Sequence, residues 1–199
     1  KRRFPAVMRR VSGYNLDAFV ESDRQLDLTK IVVGSEGTLC TTVEAKLNLE
    51  RLPAHSAVVA CHFDDLIEAM QANLEILETQ PSAVELVDKI LLDQTRGSIE
   101  FVRHRSFLKG DPEALLFVEY QGDNEAELWE KMVFLEEMLR ERQRGYAYVK
   151  AIEPADQKMI WDLRKAGLGL LMGMKGDAKP NPGIEDTCVP VEHLAEYVD

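Results

Sequence analysis

Two glycines bracket a serine and a glutamate in Val33-Gly34-Ser35-Glu36-Gly37-Thr38. Glycine admits positive φ and close backbone approach, and successive exposed N–H groups in such a turn make a concave anion site. The Ser35 and Thr38 hydroxyls can add donors to a phosphate. By spacing alone the segment is more often the polar turn of a β-hairpin, and it matches neither a P-loop nor a G-x-G-x-x-G fingerprint. Arg164, on a helical stretch, has the fork that grips a carboxylate bidentately, but a helix arginine is in most proteins simply a surface residue. The run Gly167-Leu-Gly-Leu-Leu-Met-Gly173-Met-Lys-Gly176 follows no strand, so it reads as a loop over a site rather than a dinucleotide cradle. His55 and His62 straddle a strand without a partner carboxylate pattern and read as structural. Glu185, Asp186 and His193 fit no strong metal spacing. Arg140-Glu-Arg-Gln-Arg144 is the basic, solvated end of a helix, matched to its macrodipole.

The elements that would position these residues follow from periodicity. Lys30–Val33 reads as a short buried strand and Val43–Leu49 as a half-buried one, alternating with period two. Leu52-Pro53 breaks the pattern and marks a boundary between two units. Ala57–Phe63 is a further strand, and Asp64 a candidate N-cap for the helix after it. That helix carries a stripe of Leu66, Ala69, Met70, Asn73, Leu74 and Leu77 and ends before Pro81. Residues 83–92 fit a strand or a short helix equally. Leu115–Tyr120 is a strand. Gly122-Asp-Asn124 turns into a helix over 125–143 whose buried face is Leu128, Met132, Leu135 and Leu139, with Glu127–Lys131 and Glu136–Arg140 as outer pairs. Gly145 stops that helix, Tyr146–Val149 is a strand, and Pro154 opens a helix through Trp161 and Leu163. Residues 53–165 therefore predict an α+β fold, an antiparallel sheet with helices packed on one face in ferredoxin-like order.

Composition bounds the function. Of 199 residues 45% are apolar, enough for a core. The net charge of −11 offers no general basic field for nucleic acid. Residues 1–51 carry a net +2 and the remainder −13, which points to two units with different jobs. Three cysteines, Cys40, Cys61 and Cys188, without a C-x-x-C, suggest neither zinc site nor disulfide framework. The default location is then a reducing compartment, the cytoplasm, with membrane contact only through a partner. No apolar run approaches the length of a membrane span.

Four motifs in fixed order carry a resemblance: Arg9-Arg10-x-Ser12-Gly13-Tyr14-Asn15-Leu16, Asp27-Leu28-Thr29-Lys30, Val33-Gly34-Ser35-Glu36-Gly37-Thr38-Leu39, and Thr42-Val43-Glu44-Ala45-Lys46-Leu47. Together they resemble the FAD-linked oxidases of the vanillyl-alcohol oxidase type, closest to the D-lactate dehydrogenase and glycolate oxidase flavoprotein-subunit branch. The resemblance recurs in Trp161-Asp162-Leu163-Arg164, Lys179 and Glu185-Asp186-Thr187-Cys188-Val189-Pro190. It implies that Gly34, Ser35, Glu36, Gly37 and Thr38 lie along FAD, with Gly13 and Tyr14 on a neighbouring loop and Val43 as an aliphatic contact. Cys40 departs from the glycine common there. It implies further that Arg164 meets the substrate carboxylate and that Lys179 is a second cation. The family's lysine usually stands just before its Asp-x-x-x-Pro, whereas Lys179 precedes Asp186 by seven positions.

On this resemblance, residues 1–52 are the end of an FAD-binding domain and 53–199 most of a substrate, or cap, domain. The implied reaction is oxidation of a small D-2-hydroxy acid by hydride transfer to FAD, with electrons leaving to an iron–sulfur protein or domain, a quinone or a cytochrome. Oxidation of another alcohol or an aryl ether, or a non-catalytic ligand-binding module, are the rival expectations. Family members also carry an earlier lobe with a pyrophosphate loop and a later histidine-rich segment, so the chain reads as part of a longer parent. The 199-residue chain is therefore expected to hold FAD poorly and turn nothing over. Equilibrium dialysis checks this, and tight stoichiometric FAD binding by the chain would contradict it.

Overall fold

The computed structural model describes residues 13–20, 27–96, 101, 103–177 and 187–199. The chain forms two compact units, one of Lys1–Arg51 with Asn181–His193, the other of Leu52–Pro180 with Leu194–Asp199.

The described part of the first unit is mostly irregular. It holds two one-turn helices, α1 (Asp17–Val20) and α2 (Thr29–Val32). The strand expected over 30–33 is thus a helical turn, and Val33 is exposed. The reason is local. The Asp27 carboxylate accepts hydrogen bonds from the Thr29 N–H (3.0 Å) and hydroxyl (2.6 Å), which fixes a helix start just before the apolar residues. The strand expected over 43–49 is also absent: residues 41–50 are exposed throughout, and alternation without a partner strand has no face to bury.

The second unit is built on four strands, β1 (His55–Phe63), β2 (Ala83–Asp88), β3 (Ala114–Gly122) and β4 (Ala147–Ala151). Their order is β2-β3-β1-β4, every neighbouring pair antiparallel. The central register sets Val59 opposite Val118 and Lys150, and Leu116 opposite Leu86. Helix α3 (Leu66–Leu77) links β1 to β2, and α5 (Glu125–Glu141) links β3 to β4. These are two interleaved β-α-β units, the expected ferredoxin-like arrangement. Both helices lie on one face, where Ala69, Ala72 and Ile76 of α3 and Leu128, Met132, Leu135 and Leu139 of α5 meet Val59, Cys61, Phe63, Leu116, Val118 and Tyr120. A short helix, α8 (Leu194–Val198), packs beside α3 on the same face.

The other face is also covered, which the sequence pattern did not suggest. It carries α4 (Lys89–Arg96), α6 (Pro154–Lys165) and α7 (Gly167–Met172). Leu91 and Leu92 of α4, Phe107, and Ile160 and Leu163 of α6 pack on Val58, Ala60, Val87, Leu115 and Phe117. Residues 83–92, which fit either element, are in fact both: β2 runs into α4, whose first turn is capped by Asp88 accepting from the Leu91 N–H at 3.0 Å.

Helix ends obey local chemistry. Asp65, not Asp64, caps α3: its extended backbone lets the carboxylate accept from the Glu68 N–H at 2.7 Å. Leu74 and Leu77 stay at the margin of α3, because the inward face centres on the small Ala69 and Ala72, which let the helix sit close to the sheet. Asn124 caps α5 by accepting from the Ala126 N–H at 3.0 Å. Of the two outer pairs expected on α5, Glu136–Arg140 forms at 2.8 Å. Lys131 instead lies over the Tyr120 ring, and Glu127 accepts from the Asn124 amide. Gly145 adopts φ +67°, and a Cβ there would stand 2.6 Å from the His62 carbonyl oxygen. The buried Tyr120 hydroxyl donates to Thr79 Oγ1, which donates in turn to the Ile76 carbonyl; burial pushes the phenol up to about 12.

Phe117 sits at the heart of the second face, fully buried and edge-on to both Phe107 and Trp161. Phe117→Ala is expected to destabilise the chain by roughly 3–5 kcal/mol, the transfer loss plus a cavity. Denaturant unfolding measures it, and a loss below about 1 kcal/mol would refute the two-faced core.

Candidate functional site

Within the first unit the glycine-bracketed segment forms a tight turn. Gly34, Glu36 and Gly37 take φ of +87°, +50° and +73°. The Thr38 N–H (2.9 Å) and hydroxyl (2.6 Å) both donate to the Ser35 carbonyl. With that proton committed, the Tyr14 hydroxyl donates to Thr38 Oγ1 at 2.8 Å. Asn15 Nδ2 donates to the Val33 carbonyl at 3.3 Å. The Gly13-Tyr14 loop and the Gly34–Thr38 turn, far apart in sequence, are therefore joined. Gly13 (φ +75°) and Gly37 have nothing within 4 Å of the place a Cβ would occupy. Ser35 is buried, Gly34, Glu36, Gly37 and Thr38 are exposed, and Val43 is almost wholly so. Exposed backbone held in left-handed conformations, with open space above two glycines, is a surface that a flat ligand or a phosphate can approach closely.

Within the second unit Arg164 projects from the last turn of α6. It is aimed by Trp161, one turn earlier, which packs edge-on to Phe117 at 6.3 Å, and by Leu163 and Ile160, both fully buried. Its Nε donates to Glu85 Oε2 of β2 at 3.0 Å, and Nη2 lies 3.0 Å from the same oxygen as an ion-pair contact. Beside it opens a cleft of about 410 Å³ lined by Arg164, Leu86, Leu91, Gly167, Leu168 and Leu171. The first part of the glycine-rich stretch, expected as a loop over 167–176, supplies one wall of that cleft as helix α7, while residues 173–176 are irregular. Gly167 is buried against Leu91, where a Cβ would stand 3.2 Å away, and Leu170 packs on the second-face core, so the stretch folds instead of hanging free. Lys179, Glu185 and Asp186 lie outside the described residues.

A second cleft of about 490 Å³ opens on the same layer, lined by His55, Ser56, Glu119, Gln157, Lys158 and Trp161. Burial raises the Glu119 carboxyl above its ordinary value, and a bond from Gln121 partly offsets this. Asp162 beside it is held low, first by Lys158 and then by His104.

Glu85 is the residue that spacing did not single out. Its signal was a carboxylate on the same face of a strand as Val87, a position that otherwise meets the apolar core.

His62 is structural, as its lack of a carboxylate partner suggested. It is wholly buried, its Nδ1–H shared between the Ala60 (3.0 Å) and Ala147 (3.2 Å) carbonyls, while Nε2 accepts from the Lys109 N–H at 3.2 Å. That pattern requires the neutral ring, and burial is the main cause holding its pKa below 6.5.

With this geometry in place, the comparisons define the class. Residues 52–199 match the family described as FAD linked oxidases, C-terminal domain, and the chain belongs to it. It is 35% identical over 98% of its length to D-2-hydroxyglutarate dehydrogenase of Escherichia coli (strain K12), covering 20% of that protein. It is 31% identical over 86% of its length to the Arabidopsis thaliana protein named D-lactate dehydrogenase (cytochrome), mitochondrial, covering 29% of it. A structural likeness to alkyldihydroxyacetonephosphate synthase is slight, with a TM-score of 0.49 and 16% identity over 74% of this chain and 29% of that one. The chain thus spans about a fifth of the D-2-hydroxyglutarate dehydrogenases it matches. Among the described residues no helix is long and apolar enough to cross a membrane.

The neutral His62 has a pH signature. Its folded pKa lies below the unfolded value, so its contribution is full above about pH 6.5 and is lost as pH falls from there through the folded value. Thermal melting of the chain between pH 7.5 and 5 should fall more steeply than that of His62→Asn, whose amide can replace the Nδ1–H donor. Parallel slopes would refute the assignment.

Proposed function

We propose that this chain is the part of an FAD-dependent oxidoreductase that joins the end of the flavin-binding domain to the substrate domain, and that the whole protein oxidises a D-2-hydroxy acid. The observation that carries this reading is the 35% identity, over nearly the whole chain, to a D-2-hydroxyglutarate dehydrogenase within a matched FAD-linked oxidase family. D-2-hydroxyglutarate, D-lactate and glycolate are the substrates to try. Residues 1–52 belong to the flavin side and 53–199 to the substrate side.

Bound FAD supplies the acceptor for the hydride that leaves the hydroxyl-bearing carbon. The roles of this chain's own residues are to bind and orient. Gly34, Ser35, Glu36, Gly37 and Thr38 offer backbone to the cofactor, with Gly13, Tyr14 and Val43 beside them. The fit rests on the open glycines and on the Tyr14–Thr38 bond that joins the two loops. Arg164 receives the substrate carboxylate, since a guanidinium stays charged and matches it bidentately. Lys179 is the second cation. The base that takes the hydroxyl proton lies outside these residues. Electrons pass on to an iron–sulfur protein or domain, a quinone or a cytochrome, and the protein works in the cytoplasm.

The test is the visible spectrum of the full-length protein before and after anaerobic addition of each hydroxy acid. A flavin band that bleaches with one of them, and at least tenfold less readily in Arg164→Ala, is the expected result. A flavin band indifferent to all three moves the substrate elsewhere, and the absence of a flavin band sinks the oxidoreductase reading.

A further inference from the structure

The cleft beside Arg164 contains an asymmetry. A guanidinium has two edges that can serve a carboxylate, the side edge Nε/Nη2 and the end edge Nη1/Nη2. In this protein Glu85 occupies the side edge through a single oxygen, Oε2, at 3.0 Å from both nitrogens. The end edge turns toward Gly167, where an added Cβ would stand 3.9 Å from Nη1. Gly167, Leu91, Leu168 and Leu171 line the cleft that Arg164 borders.

The pair is poorly placed to serve stability. The Arg164 and Glu85 side chains are 43% and 41% exposed, and ion pairs so open to water contribute at most about 1 kcal/mol. Helix α6 is already fixed to the sheet by Ile160, Leu163 and Trp161. Glu85, however, sits where the strand face otherwise meets apolar side chains. What it does there is orient: the Nε–H bond to Oε2, with Nη2 3.0 Å from the same oxygen, ties the side edge of the guanidinium to β2.

We propose that Glu85 is the positioning residue for Arg164, holding its side edge so that the end edge is presented to the carboxylate of the 2-hydroxy acid. This rests on the reading of Arg164 as the carboxylate-binding residue. Preorganised bidentate pairing lowers the ordering cost of binding, so loss of Glu85 weakens carboxylate capture more than it slows the step that follows.

The test uses the full-length protein, with KM for D-2-hydroxyglutarate and D-lactate and, as a readout independent of turnover, the calorimetric Kd for the corresponding 2-oxo acids. Glu85→Ala is expected to raise KM and Kd about tenfold, as loss of a charge-assisted hydrogen bond does, with a smaller effect on kcat and a melting temperature within a few degrees of the parent. Glu85→Gln, which keeps an acceptor oxygen, should fall between. In an Arg164→Ala background Glu85→Ala should add less than twofold, because the two act as one unit. If Arg164→Ala raises KM and Glu85→Ala does not, the positioning role is overturned and the reading of Arg164 stands. If the Glu85 effect is as large without Arg164, the role is likewise overturned. If neither substitution moves KM or Kd, the reading of Arg164 fails and this inference fails with it.

Discussion

The second unit depends on one constraint: its central strand pair, β1 and β3, is buried on both faces. Val58, Val59, Ala60 and Cys61 are all fully enclosed, as are Leu115, Phe117 and Val118. A sheet of this kind needs an apolar layer on each side. The ferredoxin-like helices α3 and α5 supply one layer, and α4, α6 and α7 must supply the other. Burial on both sides also explains how a histidine can sit inside β1. His62 has no water to turn to, so all its hydrogen bonds are made within the fold and the ring stays neutral.

The candidate carboxylate site follows from that second layer. Arg164 has a defined position because α6 is pressed on the sheet by Ile160, Leu163 and the Trp161–Phe117 contact. A rigid helix on a rigid sheet places a functional side chain more accurately than a loop does. On the facing strand β2, Glu85 is the carboxylate that meets the guanidinium, at 3.0 Å. Ion pairs such as Arg142 with Glu78 and Arg96 with Asp93 lie at the exterior where water screens them, whereas Lys150 with Glu136 is largely withdrawn from it. The unit is acidic as a whole, so a local cation stands out against its surroundings.

Several elements were legible from the chain itself because their causes are local. Ala57–Phe63 and Leu115–Tyr120 are runs with high strand propensity, and the face of α5 shows in its 3.6-residue spacing. The turn at Gly122–Asn124 into α5 was legible because Asn124 acts through a side-chain bond to an amide two residues away; the cap of α3 was expected one residue early, at Asp64 instead of Asp65. Elsewhere the pattern was ambiguous or misleading. Lys30–Val33 is apolar enough for a strand, yet Asp27 and Thr29 start a helical turn in front of it. The alternation of Val43–Leu49 suggested a half-buried strand, but no described strand pairs with it. The Gly167–Met172 stretch looked like a loop until the close approach of Gly167 to Leu91 gave its glycine a packing reason.

The amino-acid sequence by itself determined the family, the strand and helix identities of the ferredoxin-like core except β2, and the residues worth testing. Residue types, periodicity and short-range capping operate within a few positions along the chain. Only the tertiary structure decided that the sheet is covered twice, that Tyr14 reaches Thr38 across 24 positions, and that Glu85 meets Arg164 across 79. Those contacts join segments whose separation is arbitrary in sequence. No local preference encodes which strand face a distant helix will cover, or which edge of an arginine a carboxylate on that face will hold.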